Sequence, residues 1–261
     1  FIDGVRILNG HAAYTSNFTP PTRHGDRFED SSTASGTVAL LHCNGASGST
    51  TIVDSGVLQS NWTANGNAQI STAQSVFGGA SLYCDGSGDY ISSTVPGSIF
   101  AYGASGFTIE FLARFSSVAS SQILFDGRYL GVNAGPQPCI YLSGGTLRYL
   151  LNGNDRITGT TSISVDTWYH IALCRSSGVV KLWLNGVQEG AGYNDSSVAY
   201  TSSTLVIGGS AVSLGANSYH GHVEEVRISK VARYTSGFTP PASPHPAAPS
   251  IRFPSAVANT N

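Results

Sequence analysis

The chain has 261 residues, of which only 11% are charged, and its formal net charge is −2. This charge and the scattered Lys and Arg residues exclude the basic surface expected of a nucleic-acid-binding protein or of one attracted to anionic lipid. No apolar run approaches the length of a membrane span, so we expect no membrane insertion. Gly, Ser, Thr, Asn and Ala separate short apolar runs, which is typical of an all-β protein with many turns.

The chain opens with a copy of a segment that lies near its end. Residues 5–21 read VRILNGHAAYTSNFTPP, and residues 226–241 read VRISKVARYTSGFTPP, which is the same motif apart from one inserted residue and several substitutions. Self-similarity of this kind indicates an array, a repeat or a polymer. We therefore predict that residues 1–21 are an extension that repeats the closing strand, and that the polar, turn-rich residues 22–36 are a linker.

Apolar runs and alternating patterns predict the strands of one domain over residues 37–241. The predicted strands lie at residues 38–43, 80–84, 89–92, 107–115, 123–125, 139–142, 147–151, 168–174, 179–184, 187–188, 205–207 and 222–228. The clearest alternation is at 107–115, where it places Glu110 and Arg114 on the wetter side of a half-buried strand. Asn185-Gly186 predicts a tight type I′ turn. Residues 242–261 are a Pro-, Ala- and Ser-rich tail.

Five segments in chain order resemble the successive signatures of laminin G-like domains. They are FTIEF at 107–111, WYHIA at 168–172, KLWLNG at 181–186, IGG at 207–209 and GHVEEVRI at 221–228. The chain is therefore identified as a member of the concanavalin A-like lectin and glucanase superfamily, and its YTS-x-FTPP ending resembles the bacterial and phage branch. The resemblance implies two antiparallel sheets packed as a jelly-roll sandwich, with the first and last strands adjacent.

The glucanases of this superfamily place alternate carboxylates on one strand face, as a nucleophile and an acid. This chain lacks such a run. Glu110 stands alone, and Glu224 and Glu225 are adjacent, so on a regular strand they point to opposite faces. His170 is interpreted as a hydrogen-bonded structural histidine of its strand. The sequence therefore predicts a protein that is not an enzyme.

The resemblance also implies a calcium ion near the sheet edge. Oxygen ligands of the kind that calcium prefers are available at Asp85, Asp89, Asn44 and Glu225. The alternative is that these side chains only form turns.

Four cysteines are far apart in the sequence and form no CxxC pair, so a zinc site is not expected. Each cysteine lies in an apolar run, which favours small, buried core residues. The alternative is a disulfide between Cys43 and Cys84, since each ends a predicted strand and is followed by a turn.

Two functions are open at this stage, and the first is a binding module. Laminin G-like domains bind glycans or proteins through loops at one rim, and exposed aromatic rings stack on sugars. The aromatic residues in or beside predicted loops are Trp62, Tyr90, Tyr193 and Tyr200. Local packing of these rings is the alternative.

The second function is that of a structural subunit. Residues 1–21 repeat a closing strand, so they can complete a neighbouring copy by β-strand addition, in a head-to-tail contact that generates a filament. The apolar residues available for this intersubunit strand are Phe1, Ile2, Val5, Ile7 and Phe18. A tandem array with a preceding domain removed explains the same repeat.

The sequence favours the structural subunit, as part of an extracellular filament, fibre or virion appendage whose partners are copies of itself. Glycan or surface adhesion is the main alternative, and the two are compatible. The chain contains no Met, which fits a processed or assembled product. We therefore expect an extracellular location, at a cell surface or a virion surface.

Overall fold

The computed structural model describes residues 36–57, 59–93, 101–201 and 205–247. Within these ranges the chain forms sixteen β-strands and no helix, and hence no helix that could cross a bilayer. The strands are β1 (Thr37–Leu41), β2 (Thr51–Ile52), β3 (Trp62–Asn65), β4 (Gln69–Ser71), β5 (Ser81–Asp85), β6 (Tyr90–Ser93), β7 (Phe107–Phe115), β8 (Gln122–Asp126), β9 (Cys139–Ser143), β10 (Thr146–Leu151), β11 (Asn154–Thr158), β12 (Trp168–Ser176), β13 (Val179–Leu184), β14 (Val187–Asn194), β15 (Val206–Ile207) and β16 (His220–Ser229).

The strands form two eight-stranded antiparallel sheets. Sheet A has the order β14-β13-β12-β7-β16-β5-β4, with β1 beside β16, and sheet B has the order β11-β10-β9-β8-β15-β6-β3-β2. The first strand, β1, pairs antiparallel with the last strand, β16. The predicted all-β jelly-roll sandwich is therefore confirmed.

Several of the sequence predictions concern segments that lie wholly or partly outside the described residues. The predicted extension 1–21 and, apart from Gly36, the predicted linker 22–36 lie outside the described residues. The same is true of the residues assigned to an intersubunit strand, Phe1, Ile2, Val5, Ile7 and Phe18. The predicted tail 242–261 is described as far as residue 247.

The core lies between the two sheets, and the alternation of β7 shows why the chain folds this way. Phe107, Ile109 and Phe111 all belong to the buried cluster between the sheets. Successive side chains of a strand point to opposite faces, so Glu110 and its alternate neighbours lie on the outer face of sheet A, which is turned away from sheet B. Each large apolar side chain buried in the core contributes about 1.5 to 3 kcal/mol.

The outer face of sheet A is partly covered, which corrects the prediction that Glu110 lies on a wet side. The residues after β16, 230–247, cross this face, and we call them the closing segment. Three of its residues pack on three sheet residues: Ala232, Tyr234 and Phe238 contact the cluster of Ala172, Cys174 and Trp183. Glu110 is 0% exposed as a result.

The turn between β13 and β14 helps to hold the closing segment. Asn185 and Gly186 have φ values of 49° and 78°, so the two positive φ values predicted for this turn are confirmed. Phe238 donates its backbone N–H to the Gly186 carbonyl at 3.1 Å. A side chain at position 186 would collide with the Phe238 carbonyl, so glycine is required here both for the turn and for the contact.

A β-bulge interrupts β16 between Glu224 and Arg227, and Glu225 has a φ of 53°. An extra residue at a bulge changes the alternation of the strand. Glu224 follows Val223, a core residue, and Glu225 contacts His245 of the closing segment. Both carboxylates therefore lie on the outer side of sheet A, which corrects the prediction that they point to opposite faces.

The hydrogen bond of Tyr234 to a buried carboxylate supports a stability prediction. Tyr234 and Tyr141 are both half-buried, but Tyr234 donates to the buried Glu110 at 2.6 Å, whereas Tyr141 donates to the exposed Asp155 at 2.5 Å. We expect Tyr234→Phe to lower the free energy of unfolding by about 1 to 3 kcal/mol, because a buried acceptor loses a donor. Tyr141→Phe is the matched control and should cost less than about 1 kcal/mol. Urea unfolding measures both, and equal losses would contradict the assigned role of Tyr234.

Candidate functional site

Two of the four predicted glycan contacts are core residues. Trp62 is 6% exposed and Tyr200 is 1% exposed, and both belong to the cluster between the sheets. The Tyr200 hydroxyl lies 2.5 Å from the hydroxyl of Tyr149 and 2.5 Å from Asp195, to which it donates. Both rings pack inside the core, where a ligand does not reach them, so the prediction that they contact a glycan is wrong.

The other two candidates, Tyr90 and Tyr193, are half-buried. Tyr90 begins β6 in sheet B, and Tyr193 lies near the end of β14 in sheet A. The guanidinium of Arg156 lies over the Tyr193 ring, 5.1 Å from its centroid. The four predicted residues therefore do not form one surface.

Two of the predicted calcium ligands form a turn. Asp85 and Asp89 flank the connection between β5 and β6. Asp89 accepts the backbone N–H groups of Asn67 and Asp85 at 2.5 and 2.7 Å, and Asp85 accepts that of Ser87 at 2.8 Å. These bonds match the turn-forming alternative for the two residues.

The other two predicted ligands lie elsewhere. Asn44 lies against Gly78, a residue that precedes the start of β5, whereas Asp85 is the last residue of β5. Glu225 is bonded to His42 at 2.6 Å and to the backbone N–H of His245 at 2.8 Å. Within the described part of the chain, no three His, Cys, Asp or Glu side chains converge as a metal site requires. The four predicted residues do not fit a single calcium ion.

All four cysteines are buried, free thiols, so the structure does not contain a Cys43–Cys84 disulfide. The Cys43 thiol lies 3.8 Å from the Leu41 carbonyl. Burial raises the pKa of Cys43 to about 12 and also raises that of Cys84. Thiols that stay protonated are poor nucleophiles, so these cysteines act as small core residues.

The part of the outer face beside the closing segment carries a row of polar and aromatic side chains. In the register of sheet A, Gln69 pairs with Tyr83, Tyr83 with His222, His222 with Arg114, and Arg114 with Trp168. Each of these residues has at least one chain neighbour in the core, so all five side chains lie on the outer face. Adjacent strands are about 4.8 Å apart, and the residues form one continuous row across five strands. We call it the cross-strand row.

The aromatic rings of the row are in contact. The ring centroids of Tyr83 and His222 are 4.9 Å apart, and those of His222 and Trp168 are 6.5 Å apart. Tyr83 and Trp168 are half-buried, whereas His222 is 5% exposed. Two rings that are accessible from solvent therefore flank a buried imidazole.

The row carries little net charge at neutral pH. His222 Nδ1 lies 2.9 Å from the Ser81 hydroxyl, and burial, with the charges of Arg114 and His220, lowers the His222 pKa to about 4. The imidazole is therefore neutral at pH 7. The Arg114 guanidinium forms an ion pair with Asp166 at 2.9 Å, which balances its charge.

At the Gln69 end, the row opens into a cleft of about 380 Å³. The cleft is lined by Gly48, Thr50, Gly66, Asn67, Ala68, Gln69, Tyr83 and Asp85. Its volume lies within the range of small-molecule sites. The hydrogen bonds that Asp85 accepts from the Ser87 backbone and from the Asn67 amide, at 2.8 and 3.3 Å, lower the pKa of this carboxyl, so it is ionised at neutral pH.

Gly66 keeps the cleft open on one side. Its φ is +66°, in the left-handed region that favours glycine. A Cβ at this position would lie 2.7 Å from the Gly88 carbonyl oxygen and would also collide with the Asp89 carboxylate. A side chain at position 66 would therefore displace the turn that presents Asp85.

The covered half of the outer face contains a buried ionic cluster around Glu110. Its carboxylate accepts from Arg227 Nη2 at 2.7 Å and from the Tyr234 hydroxyl at 2.6 Å, and His170 Nε2 lies 3.1 Å away. Burial by itself raises the Glu110 pKa, but the hydrogen bond from His170 and the charge of Arg227 outweigh it and hold the value at about 2. The interpretation of His170 as a hydrogen-bonded strand histidine is confirmed.

Sequence reasoning missed the cross-strand row because register cannot be read from separate strands. One signal was present. Tyr83 lies between the apolar residues Leu82 and Cys84, and Trp168 precedes Tyr169, so alternation points both rings away from the core. Only the pairing through β16 and β7 brings these two rings together.

The profile of the concanavalin A-like lectin/glucanases superfamily matches residues 85–236 of the chain. Comparison with curated proteins gives no match. One similar solved structure is the receptor-binding domain of the botulinum neurotoxin C/D mosaic serotype, with a TM-score of 0.58 and 13% identity. That similarity covers 76% of this chain and 48% of the toxin chain.

Two further structures have TM-scores of 0.55 and cover 76% of this chain. The Trypanosoma rangeli sialidase is 16% identical, over 31% of its own chain. Botulinum neurotoxin type C, described as interacting with two ganglioside molecules, is 13% identical, over 48% of its chain. This chain thus spans about half the length of the toxin chains, and at these identities the similarity shows the fold alone.

Glu224 lies under the loop that precedes β5. Its Oε1 accepts the backbone N–H groups of Val76 and Phe77, both at 2.9 Å, while Oε2 is buried and has no hydrogen-bond partner among the described residues. Burial raises the Glu224 pKa from 4.5 to about 7. Protonation of Glu224 therefore stabilises the fold, fully below pH 4.5, and this contribution is lost as the pH rises through about 7.

Glu224→Gln removes that pH dependence, because the amide stays neutral and keeps an acceptor for Val76 and Phe77. We expect the free energy of unfolding of the variant, relative to that of the wild type, to rise by about 1 to 3 kcal/mol between pH 5 and pH 8. Urea unfolding at each pH measures this difference. Glu189→Gln is the matched control. Bonds from Thr160 and Thr161 outweigh burial and lower the Glu189 pKa, so this variant should lose stability at pH 7. If the free energy of unfolding of Glu224→Gln depended on pH in the same way as that of the wild type, the raised pKa of Glu224 would be contradicted.

Proposed function

Because this chain belongs to the concanavalin A-like lectin/glucanase superfamily, we propose that it is a carbohydrate-binding module that holds a glycan on the outer face of sheet A. The observation that carries the proposal is the cross-strand row, in which the half-buried rings of Tyr83 and Trp168 lie beside an open polar cleft. The proposed site is therefore on a sheet face, away from the loop residues that the sequence suggested.

The chemistry of the row and cleft suits a sugar. A pyranose ring has an apolar C–H face and a rim of hydroxyl groups, so it needs an aromatic surface and nearby polar groups. Tyr83 and Trp168 supply rings whose apolar faces are available for contact. Asn67 and Gln69 each supply an amide donor and acceptor, and Asp85 supplies acceptors. A few such polar groups in a cleft fix the orientation of a small ligand.

The structures with a similar fold support carbohydrate recognition as a use of this architecture. The neurotoxin domains are receptor-binding domains, and the type C toxin is described as interacting with two ganglioside molecules. The Trypanosoma rangeli enzyme is a sialidase that was studied in complex with 2,3-difluorosialic acid. Since the chain spans only part of each of these proteins, their activities are only proposed for it.

The proposed module is not catalytic. Glu110 is buried and bonded to three side chains, and Glu225 is bonded to His42 and the closing segment. Glu224 is 0% exposed under the loop before β5. A retaining glycosidase needs two carboxyl groups that face the same bond of the substrate. The commitment of these three carboxyl groups to the fold supports a binding function over hydrolysis.

Removal of either accessible ring tests the proposed site. We expect Tyr83→Ala and Trp168→Ala each to weaken binding of an array-identified glycan at least about tenfold, because each loses a ring contact. Tyr129→Ala is the matched control, since Tyr129 is 39% exposed and lies in the loop after β8, outside the row. Calorimetry measures all three. Unchanged affinity in both ring variants, or equal loss in the control, would reject the site.

A second candidate function is a structural subunit of an extracellular filament, fibre or virion appendage. The specific observation is that the repeated motif contains the residues that attach the closing segment to the sheet. Arg227 and Tyr234 bind Glu110, and Phe238 stacks on Tyr234 with centroids 3.6 Å apart. The corresponding positions of the first copy hold Arg6, Tyr14 and Phe18.

This observation supports a role for the first copy in attaching one domain of this fold to another. In the described residues the closing segment already fills the corresponding position on sheet A. The first copy must then attach beside it in a neighbouring molecule, or serve another domain of a tandem array. The intersubunit role of Phe1, Ile2, Val5, Ile7 and Phe18 stays part of this proposal. Both candidate functions imply an extracellular location.

Deletion of residues 1–21 tests the second candidate. We expect the full chain to form assemblies in electron micrographs and by light scattering, and the shortened chain to be monomeric, because the connecting segment is gone. Phe18→Ala should reduce assembly because the repeated motif loses its aromatic side chain. Leu8→Ala, at a position where the two copies differ, is the control. Assemblies of unchanged size after the deletion would reject the connector role.

A further inference from the structure

We propose that Asp85 makes this site selective for neutral glycans and against acidic ones, such as those that carry sialic acid, uronic acid or sulfate. The inference rests on the proposed glycan-binding function and names the ligand class of that same site. The supporting observation is the set of charged residues that line the cleft. Of the eight residues that line it, Asp85 is the charged one, and no lysine or arginine is among them.

Among the described residues, no lysine or arginine forms an ion pair with this carboxylate, and the nearby charge that helps to lower its pKa is that of His220. The guanidinium in the cross-strand row, that of Arg114, is paired with Asp166 at 2.9 Å. His222 is buried beside Tyr83 and bonded to Ser81, and His220 lies opposite Asp85 in the register of β16 and β5. A second carboxylate, Asp89, is 0% exposed directly behind the cleft. An anionic ligand would therefore meet the negative charge of Asp85 at the surface of the cleft.

The Asp85 carboxylate still has room to accept from a ligand. Its Oδ1 accepts one hydrogen bond, from the Ser87 backbone at 2.8 Å, and its Oδ2 accepts one, from Asn67 at 3.3 Å. A carboxylate has about four acceptor positions, so each oxygen can take a further hydroxyl donor. Neutral sugars carry such donors on adjacent carbons. The same group that would bind a diol would repel a carboxylate or sulfate.

The size of the effect follows from Coulomb's law. At contact distance near a protein surface, two like charges weaken an interaction on the order of tenfold or more. Salt screens such a repulsion between exposed charges over about 10 Å at 0.1 M ionic strength. The preference for neutral ligands should therefore narrow as salt is added.

The test uses an array of neutral glycans printed beside their sialylated, uronic-acid and sulfated counterparts, and then calorimetry on the strongest pair. Measurements at pH 8 and low salt keep histidine side chains neutral. We expect the neutral member to bind at least about tenfold more tightly, and the difference to shrink in 0.5 M salt. These wild-type measurements do not depend on any variant.

Asp85→Asn should then bring the two ligands to within about threefold of each other, mainly through tighter binding of the acidic one, because the amide removes the charge and keeps an acceptor. Asp155→Asn is the matched control. Asp155 is an exposed aspartate on β11 of sheet B, paired with Arg148 at 2.7 Å, and its substitution should leave the preference unchanged.

The outcomes separate the two proposals. If the wild type binds acidic members as tightly as neutral ones, and Tyr83→Ala still weakens both, glycan binding stands and the role of Asp85 is rejected. If the preference exists but survives Asp85→Asn, another residue causes it and the inference is overturned. If no glycan binds, or Tyr83→Ala changes nothing, the proposed site fails and the inference fails with it.

Discussion

The buried carboxylate of Glu110 is the interaction on which the rest of the outer face depends. It joins four parts of the chain: its own strand β7, Arg227 of β16, His170 of β12 and Tyr234 of the closing segment. A buried charge is tolerated only with partners, and loss of one partner of such a pair costs about 3 to 5 kcal/mol. Glu110 therefore attaches the closing segment at one place on sheet A, and the cluster of Trp183 and Phe238 adds apolar contact there.

That attachment divides the outer face into two halves with different chemistry. One half is covered, and its carboxyl groups are occupied by the fold. The other half carries the cross-strand row, whose central strands β5, β16 and β7 are each paired on both sides. Side chains on the strands of a sheet are held more rigidly than side chains on loops, so Tyr83 and Trp168 are pre-organised for the proposed glycan. The two candidate functions use the two halves, which is why they are compatible.

The fold could be predicted from the sequence to a large extent, and the site could not. Alternation identified β7 and placed the core, and Asn185-Gly186 identified a turn, since both signals depend only on local chain geometry. Glu110 followed the same alternation, yet the prediction of a wet environment was wrong, because a segment more than a hundred residues away covers it. Trp62 and Tyr200 lie beside turns in the sequence, but their rings pack into the core between the sheets.

By itself, the sequence determined most of the strands, the family and the repeated motif, because each is written in neighbouring residues or in a fixed order along the chain. The strands β2, β3, β4 and β11 were not predicted. The tertiary structure alone decided which residues share a surface. Gln69, Tyr83, Arg114, Trp168 and His222 become neighbours only through cross-strand register. Register depends on long-range pairing and on the bulge in β16, and neither is visible in any single segment.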